Sequence, residues 1–293
     1  MRQAPGWQTA FMTVGLLHPG AMGASLGAVL VDRGHPVVWA SLLRSRATRT
    51  RAERVGLVDV GTLAALVERS DTILSVCPPA EALTVARSIA ARDFTGVYLD
   101  ANAVAPVTAR AVAATVGEAG AAPLDGGIIG PPAGPDGLTV LYLSGDRGRS
   151  DAVAQLFAGG PLRTVHVGDT IGAASAVKIG FAAWTKATSA LLLAVRAFAE
   201  AEGVVDGVDH AWSTLTPELI DRLPATAAGT GPKAWRFVGE MREIATAFGA
   251  AGLPTGFHVA AAEIYAALAD LRDHDRVEIA QVVHRLVEMP DDV

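Results

Sequence analysis

The chain has 293 residues, of which 51% are apolar and only 18% charged, with a formal net charge of −6. That length can bury a large core and ordinarily holds two domains, and the apolar share excludes a disordered chain. The acidic balance, with no Lys/Arg cluster beyond Arg44–Arg54, argues against nucleic acid as a partner, and the single cysteine, Cys77, excludes an internal disulfide and a cysteine-based zinc cage.

Residues 1–11 carry Pro5 and Gly6 without periodicity and read as a loose extension. Short apolar runs then alternate with helical stretches. Strands are expected over 13–17, 36–40, 57–60, 72–76, 96–100, 122–125 and 139–144. Helices are expected over 21–33, 45–55, 62–68, 81–91 and 106–116, the last with proline in its first turn. Such alternation implies crossovers and a doubly wound, mostly parallel sheet covered on both faces. After residues 164–167 the pattern becomes helical only: 173–202, 207–215, 216–223, 232–249, 254–270 and 275–288. The first of these, about 45 Å long at the usual rise, carries Lys178, Lys186 and Arg196, which a membrane span would tolerate poorly. The fold class expected is therefore α/β: a Rossmann domain over 12–170, and an all-α domain over 171–293 joined to it by a long helix. No membrane segment or cleaved leader is expected, and the chain reads as soluble and cytoplasmic.

The stretch Gly15-Leu-Leu-His-Pro-Gly-Ala-Met-Gly23 follows the first strand and opens the first helix. A dinucleotide loop needs one glycine for the tight turn, one for close approach to the pyrophosphate and one for helix packing. Gly20 and Gly23 fill the second and third places, while His18 stands at the first. Pro19 biases His18 toward an extended backbone, so rigidity is expected to replace the missing glycine's freedom. The pyrophosphate would lie at the helix start, against Gly15, His18, Pro19, Gly20, Ala21, Met22 and Gly23. The second strand runs into Ser41, Arg44 and Ser45 instead of a carboxylate, which favours the 2′-phosphate of NADP(H) over NAD(H). Cys77 and Pro78, just past the fourth apolar strand, are further candidates for the cofactor side. No metal is expected. Cys77 itself reads as a small buried core residue.

Four segments in this order resemble the β-hydroxyacid dehydrogenase superfamily, which includes 6-phosphogluconate and 3-hydroxyisobutyrate dehydrogenases and imine reductases. They are the cofactor loop, Asp100-Ala-Asn-Ala-Val-Ala-Pro106, Asp125-Gly-Gly-Ile-Ile-Gly-Pro-Pro132 and Gly172-Ala-Ala-Ser-Ala-Val-Lys178. Lys233–Met241 and Gly252–His258 resemble markers of a 6-phosphogluconate dehydrogenase-like subgroup with an alternative C-terminal domain. The resemblance implies hydride transfer between a nicotinamide and an alcohol/carbonyl pair, with Lys178 as general acid/base. It also implies a small-molecule substrate and a homodimer intertwined through the C-terminal helices.

The departures are as informative. An asparagine usual one turn after the lysine is Ala182 here, and a serine usual in the substrate segment is Ile129. A pocket without these groups would not grip a small hydroxycarboxylate in the usual way. Ile128, Ile129, Gly130 and Trp184 are then candidates for substrate walls, with Asn102, Lys233 and His258 as polar contacts; the resemblance also sets the segment of Asn102 near the nicotinamide. Trp184 and Trp235 read most simply as core or interface packing. Two alternatives stand beside the dehydrogenase: an imine reductase, and a catalytically silent NADPH-binding protein.

Overall fold

The structure, a computed structural model, describes residues 12–274 and 276–288. The extension expected over residues 1–11 lies outside them. The apolar runs form one eight-stranded sheet: β1 Val14–Leu17, β2 Val37–Trp39, β3 Val58–Asp59, β4 Thr72–Ser75, β5 Val97–Asp100, β6 Ala122–Ile129, β7 Val140–Ser144 and β8 Arg163–Gly168. Their order across the sheet is β3-β2-β1-β4-β5-β6-β7-β8. Every neighbouring pair is parallel except β6 and β7, which run antiparallel. The chain reverses its direction of winding between β1 and β4, which creates the crevice where α/β sheets bind ligands.

Strand alternation sorts the apolar side chains onto two faces. Leu16, Leu74, Leu99 and Leu124 are in register across β1, β4, β5 and β6. They pack with α1 (Ala21–Asp32) and α6 (Arg147–Phe157) through Leu26, Leu30, Leu156 and Phe157. On the other face Ile73 and Tyr98 pack with α3 (Leu63–Arg69), α4 (Ala82–Ala90) and α5 (Pro106–Glu118) through Leu66, Ile89 and Val112. A basic helix, α2 (Arg46–Arg54), connects β2 to β3.

Two features of this sheet escape a reading of periodicity. Helix α6 is polar along most of its length, and only Ser150, Val153, Leu156 and Phe157 are buried; Asp146 starts it by accepting from the Arg149 N–H at 2.9 Å. Strand β6 runs on through Gly126-Gly127 to Ile129, where a loop was expected after Asp125. The glycines persist inside it because a Cβ on Gly126 would lie 3.0 Å from Leu99 and one on Gly127 2.5 Å from the Ala174 carbonyl oxygen.

The chain divides into two compact units, one ending at Lys178 and the other beginning at Ile179, so the division falls inside α7 (Ala173–Ala201). The second unit comprises the rest of α7, α8 (Val205–Leu215), α9 (Pro217–Thr230), α10 (Ala234–Ala250), α11 (Gly256–Ala267) and α12 (Ile279–Val287). Its core is built from small and flexible residues, Ala190, Ala227, Ala234 and Met241 among them, around the buried ring of Tyr265. The Tyr265 hydroxyl donates to the Lys186 carbonyl at 2.7 Å, and Lys186 pairs with Glu240 at 2.7 Å. Helix α9 passes through Pro224, the residue at which a break was expected, and continues to Thr230. A proline forfeits one backbone bond there, which the burial of Leu223, Ala227 and Thr230 offsets.

Candidate nucleotide and catalytic site

The turn from β1 into α1 takes three residues, Leu17 and Ala21 bounding His18, Pro19 and Gly20. The expectation that Pro19 would hold His18 extended is overturned: His18 has φ +61°, in the left-handed region. This is the conformation the missing glycine would have supplied, and histidine is among the side chains that tolerate it. The Gly20 N–H donates to the His18 carbonyl at 2.6 Å, closing a three-residue turn on Pro19, and the Arg51 guanidinium donates to the Pro19 carbonyl at 3.1 Å. Burial and the neighbouring Arg44 charge lower the His18 pKa to about 4, so the ring is neutral at pH 7.

The two remaining glycines have distinct work. A Cβ on Gly23 would lie 2.7 Å from the His18 carbonyl oxygen, so Gly23 lets α1 pack on the turn. A Cβ on Gly20 would meet nothing nearer than that oxygen at 3.9 Å, so the space before the helix is open. No side chain caps α1, no acidic residue lies in its first turn, and its first backbone bond is Ala24 N–H to Gly20 at 2.9 Å. Uncapped N–H groups and the positive helix end suit an anion such as a pyrophosphate. Gly15 is different: its missing Cβ makes room for Leu66 and Ser70 of the neighbouring helix region.

Beyond β2 the chain forms a turn closed by the Arg44 N–H to the Ser41 carbonyl at 3.0 Å, with Leu43 at φ +62° and 94% exposed. Ser45 caps α2, its hydroxyl oxygen accepting from the Thr48 N–H at 3.2 Å. Ser41 is buried, and Arg49 donates to its carbonyl at 3.1 Å. Asp59 also holds this turn. Against a burial penalty, hydrogen bonds from the Ser41 side chain, Gly61 and the Ser41 backbone, with the Arg49 charge, keep its carboxyl below the usual range. Both serines are thus engaged by the protein, and half-buried Arg44 stands on the turn beside Arg49, which is committed to its carbonyls.

The segment expected to be catalytic, at the start of α7, is anchored to β6. The Asp125 carboxylate accepts from the Gly172 N–H (2.9 Å), the Ser175 N–H (3.0 Å), the Ser175 hydroxyl (2.6 Å) and the Ser144 hydroxyl (2.8 Å). The Ser144 hydroxyl oxygen in turn accepts from the Ala174 N–H at 3.0 Å. Asp125 and Ser144 therefore cap the first turn of α7 and oppose its dipole. Two residues along the strand, on the same face, Gly127 admits α7 so closely that its added Cβ would lie 3.0 Å from the Lys178 Cβ. Lys178 is half-buried there.

Just past the neighbouring strand, β5, Asn102 links two strand ends. Its carbonyl accepts from the Cys77 N–H at 2.5 Å, and its NH2 donates to Ser75 at 3.1 Å and to Asp100. Cys77 is half-buried and packs at the edge of the core on the face of Ile73 and Tyr98; burial and the Asp100 charge raise its thiol to about 11, which leaves it protonated at neutral pH. Pro78 precedes the short helical turn Pro79–Glu81. Ile129 shares the face of Gly127 and is half-buried, whereas Ile128 points to the opposite face and joins the core, 6% exposed. Gly130 ends the strand at φ +125°, with Leu138 backbone where a Cβ would go.

The second unit holds the other expected residues. Trp184 is 73% exposed on α7, which rules out the core role within this chain. Lys233 is exposed at the end of the turn Gly231–Lys233. His258 is buried against Phe248, ring centroids 4.2 Å apart, and burial lowers its pKa. Asp125 and Asp100 are the residues whose work was not anticipated. The signal was present in the sequence: each follows a leucine at the end of an apolar strand, where a bare carboxylate demands partners.

A sheet wound 3-2-1-4-5-6, with an uncapped helix start at its switch point, defines a nucleotide-binding α/β protein. Residues 13–168 match the NAD binding domain of 6-phosphogluconate dehydrogenase, and residues 199–268 match a domain of unknown function (DUF1932). The chain belongs to the family of that NAD-binding domain. No protein of curated function matches it in sequence. Among solved structures it is similar to a 3-hydroxyisobutyrate dehydrogenase of Mycobacterium tuberculosis, with 20% identity, 94% of this chain and 99% of that one covered and a TM-score of 0.67. It is similar also to an imine reductase of Streptomyces aurantiacus (20% identity, 93% and 98% covered, TM-score 0.51). A reductive aminase from Aspergillus terreus, solved with NADPH, shares 16% identity over 94% and 99% of the chains at a TM-score of 0.56. At these identities the likeness is one of fold.

Among the described residues no group of side chains could hold a metal ion, and no helix is long and apolar enough to cross a membrane.

Proposed function

We propose that the protein is an NADPH-dependent oxidoreductase of the β-hydroxyacid dehydrogenase type, acting on a carbonyl/alcohol pair with Lys178 as general acid/base. One observation carries this reading: Asp125 caps the first turn of α7, and Gly127, two residues along β6, admits the next turn, which bears Lys178. The uncapped start of α1 supports binding of the pyrophosphate by Gly20, Ala21, Met22 and Gly23. Arg44, with no acidic residue at the end of β2, supports NADPH over NADH. When bound, the nicotinamide supplies the hydride. Lys178 gives a proton to the substrate oxygen as charge develops there and takes it back in the oxidation direction. Ile129 and Gly130 border the substrate in this reading.

A second reading is reduction of a C=N bond. Ile129, apolar on the face that carries Lys178, favours it, because a hydroxycarboxylate would call for a polar side chain there. We also infer a homodimer paired through α7, on which Val177, Trp184, Leu191 and Phe198 recur every seventh residue and the last three are exposed.

NADPH oxidation measured against aldehydes, ketones, 2- and 3-oxoacids and cyclic imines tests both readings. Turnover of a carbonyl, at least tenfold faster with NADPH than with NADH, is expected. Turnover of imines alone would favour the second reading, and NADPH binding without turnover of any class would leave a nucleotide-binding protein.

A further inference from the structure

Four neighbouring strands carry polar residues in one register: Ser75 on β4, Asp100 on β5, Asp125 on β6 and Ser144 on β7. All four are buried, at 3% exposure or less. Buried polar atoms need partners, and these are shared unequally. Asp125 accepts from four donors, an arrangement that suits a charged carboxylate. Asp100 accepts at Oδ1 from Asn102 alone, and its Oδ2 has no partner among the described residues. Asn102 cannot turn over to help, because the Cys77 N–H fixes its carbonyl and leaves its NH2 for Ser75 and Asp100.

Register partners on adjacent strands lie about 5 Å apart. Two carboxylates at that spacing, out of water, cannot both hold charge cheaply. We propose that Asp100 is a positioning residue that works as a neutral carboxylic acid. Its proton lets it stand beside the charged Asp125 while it fixes Asn102, and through Asn102 the Cys77 end of the nucleotide crevice, in line with the α7 turn that bears Lys178.

The surrounding groups agree. Burial first, and the Asp125 charge second, raise the Asp100 pKa to about 7, with the Asn102 amides pulling the other way. Tyr98 on the same strand and Cys77 beyond β4 have raised pKa values and are neutral near pH 7. The cations on elements packed against this face are Arg110 of α5, whose guanidinium lies where a Cβ on Gly172 would go, and Lys178 of α7.

The unfolded chain releases this proton near pH 4 and the folded one near pH 7. Stability from this group therefore falls as pH rises between those values and levels off above. Asp100→Asn keeps the neutral shape and removes the slope. The test measures thermal unfolding and NADPH affinity of wild type and Asp100→Asn from pH 5 to 8.5, with infrared spectra of the wild type over the same range. The variant is expected to unfold about 2–4 °C above wild type at pH 8. It should match wild-type NADPH affinity at pH 6 and hold it at pH 8.5, where wild type weakens. The wild-type spectrum should show the carbonyl stretch of a buried carboxylic acid at pH 6 that disappears near pH 7 to 8. Parallel unfolding curves for the two proteins, or no such band at pH 6, overturns the proposal, and the spectrum decides even if the variant does not fold. The positioning role rests on the NADPH reading. Failure of wild type to bind NADPH at any pH overturns that reading and the positioning role together, while the spectrum still decides where the proton is.

Discussion

Lys178 reaches its place because Gly127 has no side chain: a Cβ on that glycine would lie 3.0 Å from the Lys178 Cβ and 2.5 Å from the Ala174 carbonyl oxygen. Both contacts are with the first two turns of α7, so a methyl group must move the helix or the strand. Gly127→Ala is expected to cost about 1–3 kcal/mol of stability. It should lower turnover about a hundredfold, as misplacement of a catalytic group by an ångström does. NADPH affinity should stay within about threefold, because the pyrophosphate turn is built on β1 and α1 and not on β6. Unfolding midpoints, kcat and NADPH titration together check this.

His18 occupies a glycine's conformation at φ +61°. His18→Gly should fold with stability within about 1 kcal/mol of wild type, the relieved strain and the added chain entropy opposing each other. His18→Val, with a branched Cβ at positive φ, should lose about 2 kcal/mol more. The ring titrates at about 4 when folded and at 6.5 when free. The folded state therefore resists protonation, and its stability falls as pH drops from about 6.5 to about 4. Unfolding midpoints of His18→Asn across that window should fall less steeply than those of wild type.

Arg44 stands on the turn after β2, beside His18, while Ser41 and Ser45 are engaged by Arg49, Asp59 and Thr48. A charge-assisted hydrogen bond to a 2′-phosphate contributes about 1.5–3 kcal/mol. Arg44→Ala should accordingly lower the ratio of NADPH to NADH affinity by about ten- to a hundredfold, with NADH binding little changed. Equal loss for both nucleotides would point to a collapsed turn.

Trp184, Leu191 and Phe198 stand exposed at seven-residue spacing on α7. In a paired helix the apolar seam repeats at two positions of each heptad, and this stripe supplies one of them in the proposed pairing. On the proposed pairing, sedimentation should show wild type as a dimer and the double variant Trp184→Glu/Leu191→Glu as a monomer; a monomeric wild type or a dimeric variant would refute it.

Much of this was legible in the sequence because local chemistry and fold agree there. The β1 run and Gly20 and Gly23 announced a nucleotide turn, and the later strand–helix alternation announced the sheet around it. Three things were hidden, each for a physical reason. His18 follows the tertiary demand for a reversal in three residues, which outweighs the bias that Pro19 imposes on its neighbour. Gly126 and Gly127 look like a loop, yet they lie within β6 because α7 and Leu99 approach them; close approach of distant elements leaves no periodic mark. The division of labour between Asp100 and Asp125 depends on strand register, which brings together residues 25 positions apart.

The central claim is that one chain binds the nucleotide at the start of α1 and moves the proton with Lys178. It is tested most directly by measuring NADPH dissociation constants and turnover of the best carbonyl substrate for wild type and Lys178→Met side by side. The account expects NADPH affinity within about threefold and turnover lower by about 10²–10⁴-fold. Unchanged turnover, or a loss explained wholly by weaker NADPH binding, would contradict it.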